Sequence, residues 1–197
     1  MSQKGARASP ADVAEFNKFA NEFKTESDRA AVILGAAKLD ILLYQLLKQV
    51  LLPTPSGRDE LLDQDEPVST FSARINLAHR LGLISPELAN ALHLVRRIRN
   101  SFAHELSGVS LDSGAQRDRI RELVRPMCGN WAFQLLLEKM ISEKPGSASD
   151  FRAAVALLSV RLEGAFISAT PLEARTAYSL LPPEPPTGEQ TKVDRAT

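Results

Sequence analysis

The chain has 197 residues, enough for one helical domain with a real core or a domain with tails. Its 24 lysines and arginines balance 24 aspartates and glutamates, so no global charge draws it to nucleic acid. The single cysteine, Cys128, excludes an internal disulfide and a cysteine-based zinc centre.

Residues 1–9 are small, polar and basic and are expected to be disordered. Pro10-Ala11-Asp12 reads as the first turn of a helix to about Lys24, with Val13, Phe16, Phe19, Ala20 and Phe23 as its buried stripe. Thr25 or Ser27 can cap a second helix, expected over Asp28 to Leu52 and stopped by Pro53 and the Pro55-Ser56-Gly57 turn. Gly35, Ala36 and Ala37 give that helix a small-residue patch where another helix can approach. Asp40 lies on or beside the patch, and a carboxylate there needs a partner. Its apolar run from Ile41 to Leu52 is broken by Gln45, Lys48 and Gln49 and is too short for a bilayer span. No N-terminal apolar stretch reads as a signal peptide, so a cytoplasmic protein without membrane attachment is expected.

Arg58 to Leu62 suits a single helical turn. Phe71 to Leu81 reads as a helix with Ile75, Ala78 and Leu81 inward, stopped by Gly82. Ser85-Pro86-Glu87 starts another, running to about Glu105, with Ser85 as cap and Pro86 at the first helical position. Gly108 and Ser110 to Gly114 make a loop. Three further helices are expected over Gln116 to Arg125, Asn130 to Ile141 and Asp150 to Ser168, the last two separated by Lys144-Pro145-Gly146-Ser147. From Pro171 to residue 197 the chain is polar and proline-rich and reads as a flexible tail. No segment alternates with period two and no repeat is present. The fold class is all-α, with one helical domain over residues 10–170.

The densest chemistry lies in Arg96-Arg97-Ile98-Arg99-Asn100-Ser101-Phe102-Ala103-His104. Ala91, Leu94, Val95, Ile98 and Phe102 share one face of this helix, and His93, Arg97, Asn100 and His104 share the other. Such a polar face usually alternates glutamate and lysine rather than gathering arginine, asparagine and histidine.

Three segments together resemble the mannitol operon repressor family. They are Glu26-Ser27-Asp28-Arg29-Ala30 with Gly35-Ala36-Ala37 and Asp40, then Phe71-Ser72-Ala73-Arg74-Ile75 leading to Leu81-Gly82-Leu83-Ile84-Ser85, and lastly Ile98 to His104. The likeness spans roughly residues 10–140. Arg99-Asn100 with His104 is also similar to the motif of HEPN domains, helical bundles that include metal-independent ribonucleases. The resemblance implies a HEPN-like bundle and a regulatory role in transcription.

Two readings of the polar face stay open. In one it is structural: Arg99 pairs with Asp28 or Asp40, His104 bonds near the helix end, and Asp28, Arg29 and Asp40 form a polar network that joins helices. In the other, Arg99, Asn100 and His104 are catalytic residues of an endoribonuclease. Histidine suits the proton transfers and arginine braces the phosphorane, with Asn100 orienting phosphate or imidazole. Five residues at ~100° each set Arg99 and His104 ~140° apart, so that site needs a second subunit or a distorted helix end. His93, Arg96 and Arg97 are candidate binding residues on the same helix.

Direct DNA readout is disfavoured. Phe71 to Ala103 holds two helices joined by a short turn, but the second begins Pro86-Glu87-Leu88-Ala89, and its arginines lie at the far end. No Asp, Glu or Cys stands at ligand spacing from His93, so no metal is expected, nor any other cofactor. Trp131 with Phe133, Leu135, Leu136 and Leu137 reads as core or dimer surface. Cys128 has no activating base nearby in sequence. The expectation is a mannitol-repressor-like regulatory or interaction protein, acting through protein or ligand binding. The bundle should be built around the two long helices Asp28 to Leu52 and Pro86 to Glu105, and the chain should form a homodimer. The endoribonuclease, with RNA as partner, is the alternative.

Overall fold

The computed structural model describes residues 18, 20–54, 57–104, 110–112, 114–140 and 145–174. Those residues are all-helical and contain no strand. Helix α1 covers residues 20–25, followed by α2 (Asp28–Val50), α3 (Phe71–Arg80) and α4 (Pro86–His104). The chain continues through α5 (Gly114–Val124), α6 (Trp131–Met140) and α7 (Ser147–Ser168). Several expectations lie outside the described residues: the disordered leader over 1–9, the helix start at Pro10 with Val13, Phe16 and Phe19, and the tail beyond 174. Glu105, Gly108, Ile141 and Lys144 lie outside them as well.

The helix ends follow from local chemistry. The Ser27 hydroxyl accepts from the Ala30 amide and Thr70 accepts from Ala73, each satisfying a donor that the helix cannot. After α3 the chain closes a Schellman turn, with Leu83 N–H on the Ala78 carbonyl and Gly82 N–H on His79. Gly82 has φ of 72° there, which is why glycine occupies it. Leu81, expected inward, is instead 37% exposed, because it is the cap residue outside the last helical turn. Helix α7 begins at Ser147, three residues before the expected Asp150. Gly146 has no side chain to cap it, and the Asp112 carboxylate accepts from Ser147 N–H at 2.8 Å instead.

The central pair is α2 with α7, not α2 with α4. In α7, Phe151, Ala153, Ala154, Val155, Ala156, Leu158 and Leu162 are all buried, and the alanines among them let α2 come close. Contact is close at Gly35, where a Cβ would lie 3.1 Å from both Phe23 Cζ and Val155 Cγ1. The small-residue patch therefore acts as expected at Gly35 and Ala36, while Ala37 faces out. The two helices run parallel, since Val155 meets Gly35 near one end and Leu172 N–H donates to the Val50 carbonyl at the other. Helices α3 and α4 cover one flank of α2, while α5 and α6 pack on α7. Among the described helices α2 is the one long and apolar enough to cross a membrane, and half of that stretch is buried in the bundle.

Candidate functional site

Ser85 caps α4, its hydroxyl accepting from Leu88 N–H at 3.2 Å. A further hydrogen bond with the Ser85 side chain holds the exposed Glu87 carboxyl below its ordinary value. Ala91, Leu92, Leu94, Val95, Ile98 and Phe102 are buried, which turns Arg97 and His104 outward and leaves His93 and Asn100 half-buried. At the far end Arg29 Nη1 donates to the Phe102 carbonyl, so the last turn of α4 is capped from the start of α2.

The expected locking of α4 by Arg99 does not occur. Asp40 accepts from Arg74 Nη1 at 2.9 Å, and Arg74 also donates to the Leu62 carbonyl at 3.0 Å and lies 5.1 Å from the centre of the Tyr44 ring. Asp28 stands 3.7 Å from Arg152 Nη2 and accepts from Leu111 N–H at 3.1 Å. Both carboxylates thus have arginine partners, on α3 and α7. Asp28, Arg29 and Asp40 do tie helices together, with partners that the sequence reading missed. Arg152 carried a signal, since it is the sole charge in the stretch Phe151 to Val160. Arg74 carried none beyond its place in a helix.

Arg99 is exposed, and its Nη1 donates to Asn100 Oδ1 at 3.1 Å. His104 is exposed too, and has no hydrogen-bond partner among the described residues. On one copy the two side chains leave the helix ~140° apart, so they do not converge on one phosphate. His93 sits half-buried against α3, its Nε2 3.1 Å from Asn76 Oδ1. Because an amide oxygen only accepts, Nε2 carries the proton, and Nδ1 is left buried without a partner. Desolvation, then the charges of Arg96 and Arg97, lower the His93 pKa below its ordinary 6.5.

One more cation joins this face from α5. Arg119 Nη1 donates to Ser101 Oγ at 2.9 Å and to Gln116 Oε1 at 3.2 Å. Ser101 in turn donates to the Arg97 carbonyl at 3.3 Å. Arg96, Arg97, Arg99 and Arg119 have no acidic partner among the described residues, in contrast to Arg58, Arg74, Arg121 and Arg152. Arg80, Arg117, Arg125 and Arg161 lack an acidic partner among the described residues too, but Arg96, Arg97 and Arg99 stand within one turn of α4, beside Arg119.

Among the described residues no group of three or more His, Cys, Asp or Glu is arranged to hold a metal ion. Two adjoining grooves of about 300 and 280 Å³ lie at the C-terminal end of α2, walled by Leu51, Leu52, Pro53, Asp59 and Asp63 among others. No α4 residue lines either groove. Cys128 is exposed with its thiol on the Val124 carbonyl, and Trp131 is 78% exposed, which rules out the core for it. No family model matches this chain, and neither the curated proteins nor the solved structures contain a match to it.

Proposed function

We propose that this chain is a regulatory interaction protein of the mannitol-operon-repressor kind, which engages an acidic protein partner through the outward face of α4. The observation that carries this reading is the set Arg96, Arg97, Arg99 and Arg119, none with an acidic partner among the described residues. Guanidinium groups spread along an exposed helix suit a complementary carboxylate surface, because Arg binds carboxylates through a planar fork and keeps its charge. A helix face that lines neither of the two grooves favours a macromolecule over a small ligand. Base readout is disfavoured, since the leading turn of α4 presents Glu87, whose ionised form is held by Ser85 and repels phosphate.

The test is a fluorescence-anisotropy titration with a labelled oligoglutamate peptide, repeated with the Arg97→Glu, Arg99→Glu double variant. Binding that weakens with salt and falls at least about tenfold in the variant is expected. Absence of binding at low salt would remove the reading.

The exposure of Arg99 and His104, with Asn100 half-buried beside Arg99, favours a second reading, a metal-independent endoribonuclease. With His104 from one copy and Arg99 from a second, His104 would take the 2′-hydroxyl proton and return it to the departing 5′-oxygen while Arg99 braces the non-bridging oxygens, leaving a cyclic phosphate and a 5′-hydroxyl. Labelled single-stranded RNA in EDTA, with a His104→Ala control, decides it. Cleavage lost in the variant supports the nuclease, and intact RNA with the unsubstituted protein excludes it.

A further inference from the structure

We infer that the outward faces of α2 and α7 form one apolar surface that pairs with the same surface of a second copy of this chain. This inference is independent of what α4 binds.

A solvated helix normally shows a polar outer face. Between Ala30 and Ile41 the outer face of helix α2 is mainly apolar. Ile33, Leu34 and Ile41 are 39%, 47% and 54% exposed, and Ala37 lies exposed between them. The two charges in that stretch, Lys38 and Asp40, are both paired, with Glu163 and Arg74. On α7, Val160 and Ile167 are 43% and 53% exposed.

The ion pair between Lys38 and Glu163, at 3.5 Å, joins these two faces. Leu34 and Ile41 stand one turn before and one turn after Lys38. Val160 and Ile167 stand one turn before and one turn after Glu163. Four exposed aliphatic side chains therefore frame a single pair of opposite charges. The parallel course of α2 and α7 keeps the two rows in step. Depletion of uncompensated charge at the centre of an apolar patch is the mark of a protein interface.

The charge pattern selects the occupant. A two-fold axis that lies in the interface over the ion pair and runs along α2 and α7 sets Lys38 of one copy over Glu163 of the other, and the reverse. The surface is thus complementary to itself, which an isologous dimer requires. A foreign partner would need its own matching pair of charges.

Sedimentation equilibrium of the full chain, from about 1 to 100 µM, spans the range of a moderate dimer. A concentration-dependent dimer is expected. Lys38→Glu and Glu163→Lys each set like charges across the axis, and each should weaken self-association at least about tenfold. Circular dichroism melts check that both variants fold. Mixed in equal amounts, the two variants should regain the dimer, because each then meets the opposite charge in the other. A monomer at all concentrations overturns the proposal, as does a dimer indifferent to both substitutions or a mixture that stays monomeric. A monomer that floats with neutral phosphatidylcholine vesicles would assign the face to lipid instead, and overturn it too.

Discussion

Replacing Arg152 by Met should destabilise this bundle more than removal of any surface arginine. Arg152 is 6% exposed and reaches from α7 to the end of α1. Its Nη2 donates to the Glu26 carbonyl at 2.6 Å, its Nε to Phe23 at 3.3 Å, and its Nη1 to Ala148 at 3.0 Å. Methionine keeps most of the volume and removes the donors. The Ala148 carbonyl loses little, because it sits in the first turn of α7 within reach of the backbone amide four residues on. Glu26 is exposed and water can replace the guanidinium there, so the charge-assisted bond costs about 1.5 kcal/mol. The Phe23 carbonyl belongs to a residue only 1% exposed, and leaving it short of a donor costs about 1–2 kcal/mol. The Asp28 carboxylate, 3.7 Å away and 29% exposed, stays hydrated and adds at most about 0.5 kcal/mol. The sum is about 3 kcal/mol, or a fall of about 6–12 °C in Tm for a domain of this size. Urea unfolding and calorimetry measure both. Asp28→Asn should cost no more than about 1 kcal/mol in the same assays. A loss below about 1 kcal/mol for Arg152→Met would refute the view that this side chain clamps α1 to α7.

Two further expectations follow from packing and from charge. Gly35→Val should cost about 2 kcal/mol or more, since any Cβ there meets Phe23 and Val155 at 3.1 Å, and both are buried too tightly to yield. Equal urea midpoints for the two proteins would show that α2 can move away from α7 without penalty. The lowered pKa of His93 means that the unfolded chain binds this proton more readily than the folded one. Its contribution to stability is therefore complete above pH 6.5 and is lost as the pH falls through that value toward the lower, folded one. His93→Gln should flatten the decline of the urea midpoint between about pH 7 and 5, and an unchanged slope would argue against it.

The polar face of α4 was legible because a helix repeats every 3.6 residues, so His93, Arg97, Asn100 and His104 could be placed together from spacing alone. The exposure of Arg97 and His104 followed from the aliphatic residues between them. The partners of Asp28 and Asp40 were not legible. Arg99 is not their partner: Arg74 lies 34 positions from Asp40, and Arg152 arrives only when α7 docks on α2. Trp131 shows the converse, an aromatic within an apolar run that the bundle leaves in solvent.

What the chain determined by itself was local. Ser27, Thr70 and Ser85 start helices and Gly82 ends one, because capping and left-handed turns are settled within a few residues. The all-α class follows from the same short-range pattern. Which helices form the centre was decided only by tertiary packing. Small residues on α2 and α7 mark both as able to approach something, but the close fit of Gly35 on Val155 depends on two surfaces far apart in sequence. Burial there is a property of the pair, so it sets in only when the two surfaces meet.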